Sequence, residues 1–332
     1  MEKTRDKQGR KAGFTIVELL TVMSIIVILI SMLVPALNKV RRYAIDVKER
    51  AQLHAIGTGL EAFSAELDGY PDSGALDPCG ASYCGAMKLA EAMVGQDLRG
   101  FNPDSRFTRD GFPGILGADA PHDGMAYPPY GTTAYCGGTA GCYEENLKKR
   151  KTYLQLENAN ATQIRDIWSV ADITSSTYNF SPGGNFEPNA FVLCDVYSKV
   201  TNINSGKKMG MPILYYKADP TKTHHPADNM GYSAFLTDTV TNPSTCIYDL
   251  RDNLNFVTLP LPWNTSCWQP MANLMPCSSI GMSNPMLFYK EISNKKMPSS
   301  SPWPNRADSF VLMSAGYDGE YGTGDDIFNF GE

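Results

Sequence analysis

The hydrophobic pattern divides the chain into a long apolar stretch near the N-terminus, an amphipathic continuation and a mixed remainder. Residues 14–37, FTIVELLTVMSIIVILISMLVPAL, hold one ionisable side chain, Glu18, in a run of 24. As a helix rising about 1.5 Å per residue, this run is about 36 Å long and can cross a bilayer core of about 30 Å. It is too long for a secretory signal peptide, and it ends at Pro35-Ala36-Leu37-Asn38-Lys39 rather than at a small-residue cleavage site. Apolar or small residues then recur at Leu37, Val40, Ala44, Val47, Ala51, Ile56, Leu60, Phe63 and Leu67, mostly in steps of three and four. That spacing predicts an amphipathic helix continuous with the span, about 80 Å long in all. Asp68-Gly69-Tyr70-Pro71 should end it, because Gly69 suits a helix terminus and Pro71 cannot extend one. Pro35 is expected to kink the helix or melt a turn, and Gly57 and Gly59 to let it pack closely on a sheet.

The rest is rich in turn residues. Helices are predicted over 85–93 and 144–173. Strands are predicted at 190–196 (AFVLCDV), 212–218 (PILYYKA), 255–259 and 309–314 (SFVLMS), each rich in Val, Leu, Tyr or Phe between turn residues. The stretches of about 72–188 and 219–303 read as insertions, with His224-His225 in an exposed loop.

Composition narrows the function. A net charge of −6 gives no basic face for nucleic acid, so no nucleic-acid partner is expected. The leader, Met1 to Gly13, carries five basic residues against two acidic ones, so the chain without it is more acidic still. No Gly-x-Ser-x-Gly, P-loop, His-Glu-x-x-His or dinucleotide fingerprint occurs, and the chain is not expected to be an enzyme. The eight cysteines lack paired C-x2-C knuckles, so disulfides in an oxidising compartment are the better reading over zinc. The close pairs Cys79–Cys84, Cys136–Cys142 and Cys267–Cys277 are the expected bridges, because a short loop brings each pair together. Cys194–Cys246 is the remaining combination, with a buried thiol at Cys194 as its alternative.

Glu18 asks for a partner, since a carboxylate five residues into an apolar run costs a few kcal/mol alone, roughly. Gly13-Phe14-Thr15-Ile16-Val17-Glu18, preceded by Arg10-Lys11, resembles the signal of type IV prepilins and type II secretion pseudopilins. The resemblance implies cleavage after Gly13 by a prepilin peptidase, N-methylation of Phe14 and an assembly role for Glu18, paired with the N-terminal amine of a neighbouring subunit. A buried ammonium and carboxylate together cost far less than either alone.

The segment Ser309 to Gly331 adds a second resemblance. After the strand, Asp318, Glu320, Asp325 and Asp326 are spaced by Gly319, Gly322 and Gly324. Carboxylates and inward carbonyls suit hard calcium, although the position of the bidentate Glu of an EF-hand holds Asn329. The loop 314–327 is similar to the calcium loop of major pseudopilins. That likeness implies Asp318 and Asp325 as calcium ligands, with Asp326 a lesser one.

The expected protein is α+β with a pilin fold: leader 1–13, membrane and filament-core helix 14–38, amphipathic continuation 39–70, and a globular domain 71–332 built on an antiparallel sheet. Its expected function is that of a structural pseudopilin in a type II secretion or type IV pilus-like filament. Its expected partners are prepilin peptidase, other pilin-like subunits and an inner-membrane assembly platform. Basic residues flank the span on both sides almost equally, so the resemblance and the cysteines, not charge, place the leader in the cytoplasm and the globular domain in the periplasm. The alternative is a minor or tip pilin that uses the insertions for adhesion or ligand recognition.

Overall fold

A computed structural model describes residues 15–109, 111, 126–127, 142–170, 173, 187–202, 205–226, 245–268, 286–298 and 301–331. The chain forms two compact units, Met1–Val47 and Lys48–Glu332. Helix α1, Ile16–Leu67, contributes to both. It remains helical through Pro35, so the melted turn that proline suggested is not formed. Pro35 removes one amide from the ladder without ending it, which membrane helices tolerate. Asp68 and Gly69, both at positive φ, end the helix.

The second unit is built around strands β1 (Ala161–Gln163), β2 (Phe191–Leu193), β5 (Leu214–Lys217), β8 (Phe310–Ser314) and β9 (Ile327–Phe328). Strands β5, β8 and β9 form an antiparallel sheet with β8 in the centre, where Tyr215 faces Leu312 and Met313 faces Phe328. Strand β1 pairs antiparallel with β2. Amides of Ile213 and Asp195 donate to Leu193 and Met211 carbonyls at 2.7 and 2.8 Å, which ties the end of β2 to the lead-in of β5. Two small hairpins lie outside this array: β3 (Val200–Thr201) with β4 (Lys208–Met209), and β6 (Pro260–Leu261) with β7 (Asn264–Trp268).

Alternation along the strands separates two cores. Ile213, Tyr215, Phe310 and Leu312 face Leu53, Ile56, Leu60 and Phe63 of α1, together with Leu89 and Met93 of α2 (Gly85–Val94). Leu214, Tyr216, Val311 and Met313 face the other way, into a cluster with Trp168, Tyr248, Phe256 and Phe288. All five residues of β8 are buried, as a sheet covered on both faces requires. The second cover comes from the 3-10 turn Leu250–Asn253, α6 (Leu254–Val257) and α7 (Met286–Ile292). The side chain of Asn253 joins these parts. Its oxygen accepts from the Ala86 amide at 2.8 Å, and its nitrogen donates to the Tyr215 carbonyl at 2.7 Å.

Several sequence expectations are corrected. The region 144–173 is not one helix. It forms α3 (Cys142–Lys149), α4 (Leu156–Ala159), β1 and α5 (Ile164–Ile167), because Asn160 turns left-handed at φ 44° and 161–163 are captured by β2. Of residues 255–259, 255–257 are helix rather than strand and 258–259 turn out of it; the helix continues the 3-10 turn Leu250–Asn253, which is capped by Asp249, whose carboxylate accepts from the Arg251 amide at 2.9 Å. Gly59 serves a close approach to α2 and a loop rather than to the sheet: a β-carbon there would stand 2.8 Å from Met93 Sδ and 3.0 Å from the Tyr153 carbonyl oxygen. His225 is buried, its Nε2 2.7 Å from Ser293 Oγ and 3.1 Å from the Tyr289 carbonyl oxygen.

The expected Cys79–Cys84 bridge is not formed; both residues are thiols. Cys79 lies exposed in a turn held by Asp77, whereas Cys84 is wholly buried at the start of α2, and burial pushes its thiol up to about 12. Cys194 and Cys246 are buried thiols as well, without a bridge between them. The side chains of Cys142 and Cys267, and Cys136 and Cys277 altogether, lie outside the described residues.

Phe63 sits at the centre of the α1 contact, edge-on to Phe101 and Tyr153 at centroid distances of 5.0 and 5.2 Å. Phe63→Ala should cost about 3–5 kcal/mol of stability in the second unit, read from denaturant midpoints.

Candidate functional site

Two places in the chain carry the chemistry that the sequence suggested. The first is the N-terminal end of α1. Gly13 and Phe14 lie outside the described residues, which begin at Thr15. Glu18 Oε2 accepts from the Thr15 amide at 2.9 Å and from Thr15 Oγ1 at 2.8 Å, and the Glu18 amide donates to Thr15 Oγ1 at 3.3 Å. This is a reciprocal capping box. Each side chain satisfies an amide that the first turn leaves unpaired, and the carboxylate stands at the positive end of the helix dipole. The spacing Thr15-x-x-Glu18 carries this box in the sequence itself, a local partner for the carboxylate that the expectation of an intersubunit pairing left out.

Beyond that cap α1 is apolar and uncovered within its unit. Ile16 is 82% exposed, and large apolar side chains from Val17 to Val34 are exposed as well. Serine hydroxyls at 24 and 31 bond back to carbonyls one turn earlier, so they bring no unsatisfied donor to the surface. Among the described residues α1 is the one helix long and apolar enough to cross a membrane.

The second place is the loop between β8 and β9, which returns the chain in a tight turn. Asp325 Oδ2 accepts from the Asp318 amide at 2.9 Å, and Asp325 Oδ1 from Thr323 Oγ1 at 2.6 Å. Asp318 Oδ1 accepts from the Glu320 amide at 2.8 Å, while Asp326 Oδ2 accepts from the Gly322 and Thr323 amides at 2.8 and 3.1 Å. Gly316 has φ 66°, and a β-carbon there would stand 2.2 Å from the Asp325 carbonyl oxygen, so glycine is needed for the closure.

The structure thus brings Asp318, Asp325 and Asp326 into one network. Burial, with the Asp325 charge nearby, pushes the Asp318 carboxyl up to about 7. Burial also raises Asp326 well above the usual carboxylate range, helped by the charges of Asp318 and Asp325, and its Oδ1 is buried without a hydrogen-bond partner. Burial opposes ionisation of Asp325 too, yet bonds from Thr323 and the Asp318 amide outweigh it and hold that carboxyl low. Crowded carboxylates with an orphan oxygen suit a hard cation by donor chemistry. Among the described residues, however, no three His, Cys, Asp or Glu side chains are grouped to hold a metal ion, so backbone carbonyls would have to complete any shell.

An apolar anchoring helix with a capped N-terminus, joined to an α+β head whose sheet is packed against the rest of that helix, defines a membrane-anchored protein of pilin-like architecture. The family model of the prokaryotic N-terminal methylation motif matches residues 8–34, which supports a likeness to type IV pilin-like proteins. Comparison with curated proteins and with solved structures returned no match.

Proposed function

We propose that the chain is a structural subunit, a pseudopilin, of a type II secretion or type IV pilus-like filament. The observation that carries this reading is the continuity of the methylation motif with an uncovered apolar helix. In aqueous surroundings the exposed side chains of residues 16–34 would be unfavourable at about 25 cal/mol per Å² of apolar surface. A bilayer before assembly and other copies of the same helix afterwards both remove that surface from water. Prepilin peptidase cuts after Gly13 and methylates Phe14, and the leader stays on the cytoplasmic side of the inner membrane with the globular unit outside. The assembly platform then stacks subunits, and Glu18 exchanges its bond to the Thr15 amide for the methylated amine of a neighbour.

The adhesion reading has less support. Much of the described part of 219–303 covers the second face of the sheet, a structural use of the segment rather than a display of ligand-binding groups.

N-terminal mass spectrometry of protein expressed with a prepilin peptidase should find methyl-Phe14 as the first residue; an intact Met1 leader would sink the proposal. Glu18→Ala should insert normally yet assemble poorly, at a tenth of wild type or less by shearing assay, roughly the effect of leaving one buried charge unpaired.

The loop 314–327 is proposed to take up calcium through Asp318 and Asp325 with backbone carbonyls, and Asp326 alongside. Calcium at about a hundredfold its dissociation constant would add about 2.7 kcal/mol to stability. Melting temperature should therefore rise in millimolar calcium over chelator, roughly the concentration that weak extracellular sites require. Asp325→Ala should abolish the difference. Equal melting with and without calcium would reduce the loop to an acidic turn.

A further inference from the structure

Two buried acids lie where α1 meets the sheet, and neither belongs to the sites above. Glu49, on α1, is 0% exposed, and Asp195, just after β2, is 1% exposed. Each carboxyl has one oxygen bonded and one orphaned. Glu49 Oε2 accepts from the Val196 amide at 2.9 Å, and Asp195 Oδ1 from the Tyr197 amide at 3.0 Å. Glu49 Oε1 and Asp195 Oδ2 are buried with no hydrogen-bond partner. Glu49 thus bonds the amide that directly follows Asp195, and the Glu49 charge acts on Asp195.

We propose that Glu49 and Asp195 share a proton, forming a carboxyl–carboxylate latch that fastens α1 to the sheet and opens as pH rises. Two adjacent buried carboxylates cannot both remain ionised, and one proton held by the pair removes one of the two buried charges.

The surrounding groups do not supply an alternative. The cation acting on Glu49 is Lys48, its neighbour on the helix. From the residue after β2 the Cys194 thiol, and from the loop after β8 the Tyr321 phenol, face Asp195; burial pushes both upward, so they stay neutral through the relevant range. Ser314 is uncharged. Burial pushes Glu49 up to about 7 from 4.5, and burial with the Glu49 charge raises Asp195 well above its ordinary 3.8.

The sign follows from linkage. The folded chain holds a proton that the unfolded chain releases near 4.5, so the latch contributes fully below that pH and is lost as pH rises through about 7. The titration steps belong to the pair rather than to either acid. Because the proton affinity of the pair changes by about a factor of ten for each pH unit of that window, the folding equilibrium constant should fall by about two orders of magnitude across it.

The test uses the full chain in detergent, melted between about pH 5 and about pH 9, beside Asp195→Asn and Glu49→Gln. Wild type should lose stability through about pH 7, and each variant should show a much flatter profile. Asp318 and Asp252 also titrate high, at about 7 and about 8, but are common to all three proteins, so the difference between profiles isolates the pair. Difference infrared spectra near neutral pH give a second readout that needs only one folded variant. A protonated-carboxyl band should be present in wild type and reduced in either variant. Parallel melting profiles in wild type and variants, or an unchanged carboxyl band, would overturn the proposal.

Discussion

The head of this protein depends on the contact between α1 and one face of the β5–β8 pair. Leu53, Ile56, Leu60 and Phe63 occupy a single helical stripe and meet Ile213, just before β5, and Tyr215, Phe310 and Leu312 from strands of five residues or fewer. Strands that short do not form a stable sheet by themselves in water; they need a helix or further strands against a hydrophobic face. Because β8 is apolar at nearly every position, covering one face leaves the other, Val311 and Met313, to be closed by the segment that carries Tyr248, Phe256 and Phe288. The long connections between strands are thus part of the core, and the term insertion describes their place in the sequence better than their role.

Periodicity made much of this legible. The stripe at Ile56, Leu60 and Phe63 and the run Phe310 to Met313 both stood out, because their spacing is dictated by the geometry of helix and strand. Three kinds of feature did not. A three-residue strand such as β1 has no periodicity to read, and its existence depends on pairing with β2, about thirty residues on. The apolar residues of 254–257 suit helix or strand alike, and here they continue the 3-10 turn Leu250–Asn253 that Asp249 caps. The bridge expected between Cys79 and Cys84 rested on proximity in sequence, but α2 begins at the second cysteine and carries it into the interior.

Polar residues inside the stripe were the least legible. Glu49 and Gln52 occupy helix positions that a hydrophobic pattern scores as solvent-facing, yet both are buried. Gln52 Nε2 donates to the Cys194 carbonyl at 2.9 Å, and Glu49 accepts from Val196, so the two side chains together hold the main chain that leaves β2. Their partners are main-chain groups more than 140 residues away, and main-chain groups leave no signature in composition or spacing.

One helix therefore carries two acidic residues in apolar settings and resolves them differently. Glu18 lies at the start of α1, where the first turn has unpaired amides and a favourable dipole, so a local cap accommodates the carboxylate without any tertiary contact. Glu49 lies in the helix interior, where every amide is already committed to the ladder, and it must find its partner in another part of the fold. A carboxylate satisfied by its own first turn can be exchanged to a new partner without disturbing the head. One that is tied to the main chain leaving β2 cannot be changed without loosening the contact on which the sheet depends. On this argument the N-terminal acid is satisfied within its own turn, and the interior acid is a determinant of the stability of the second unit.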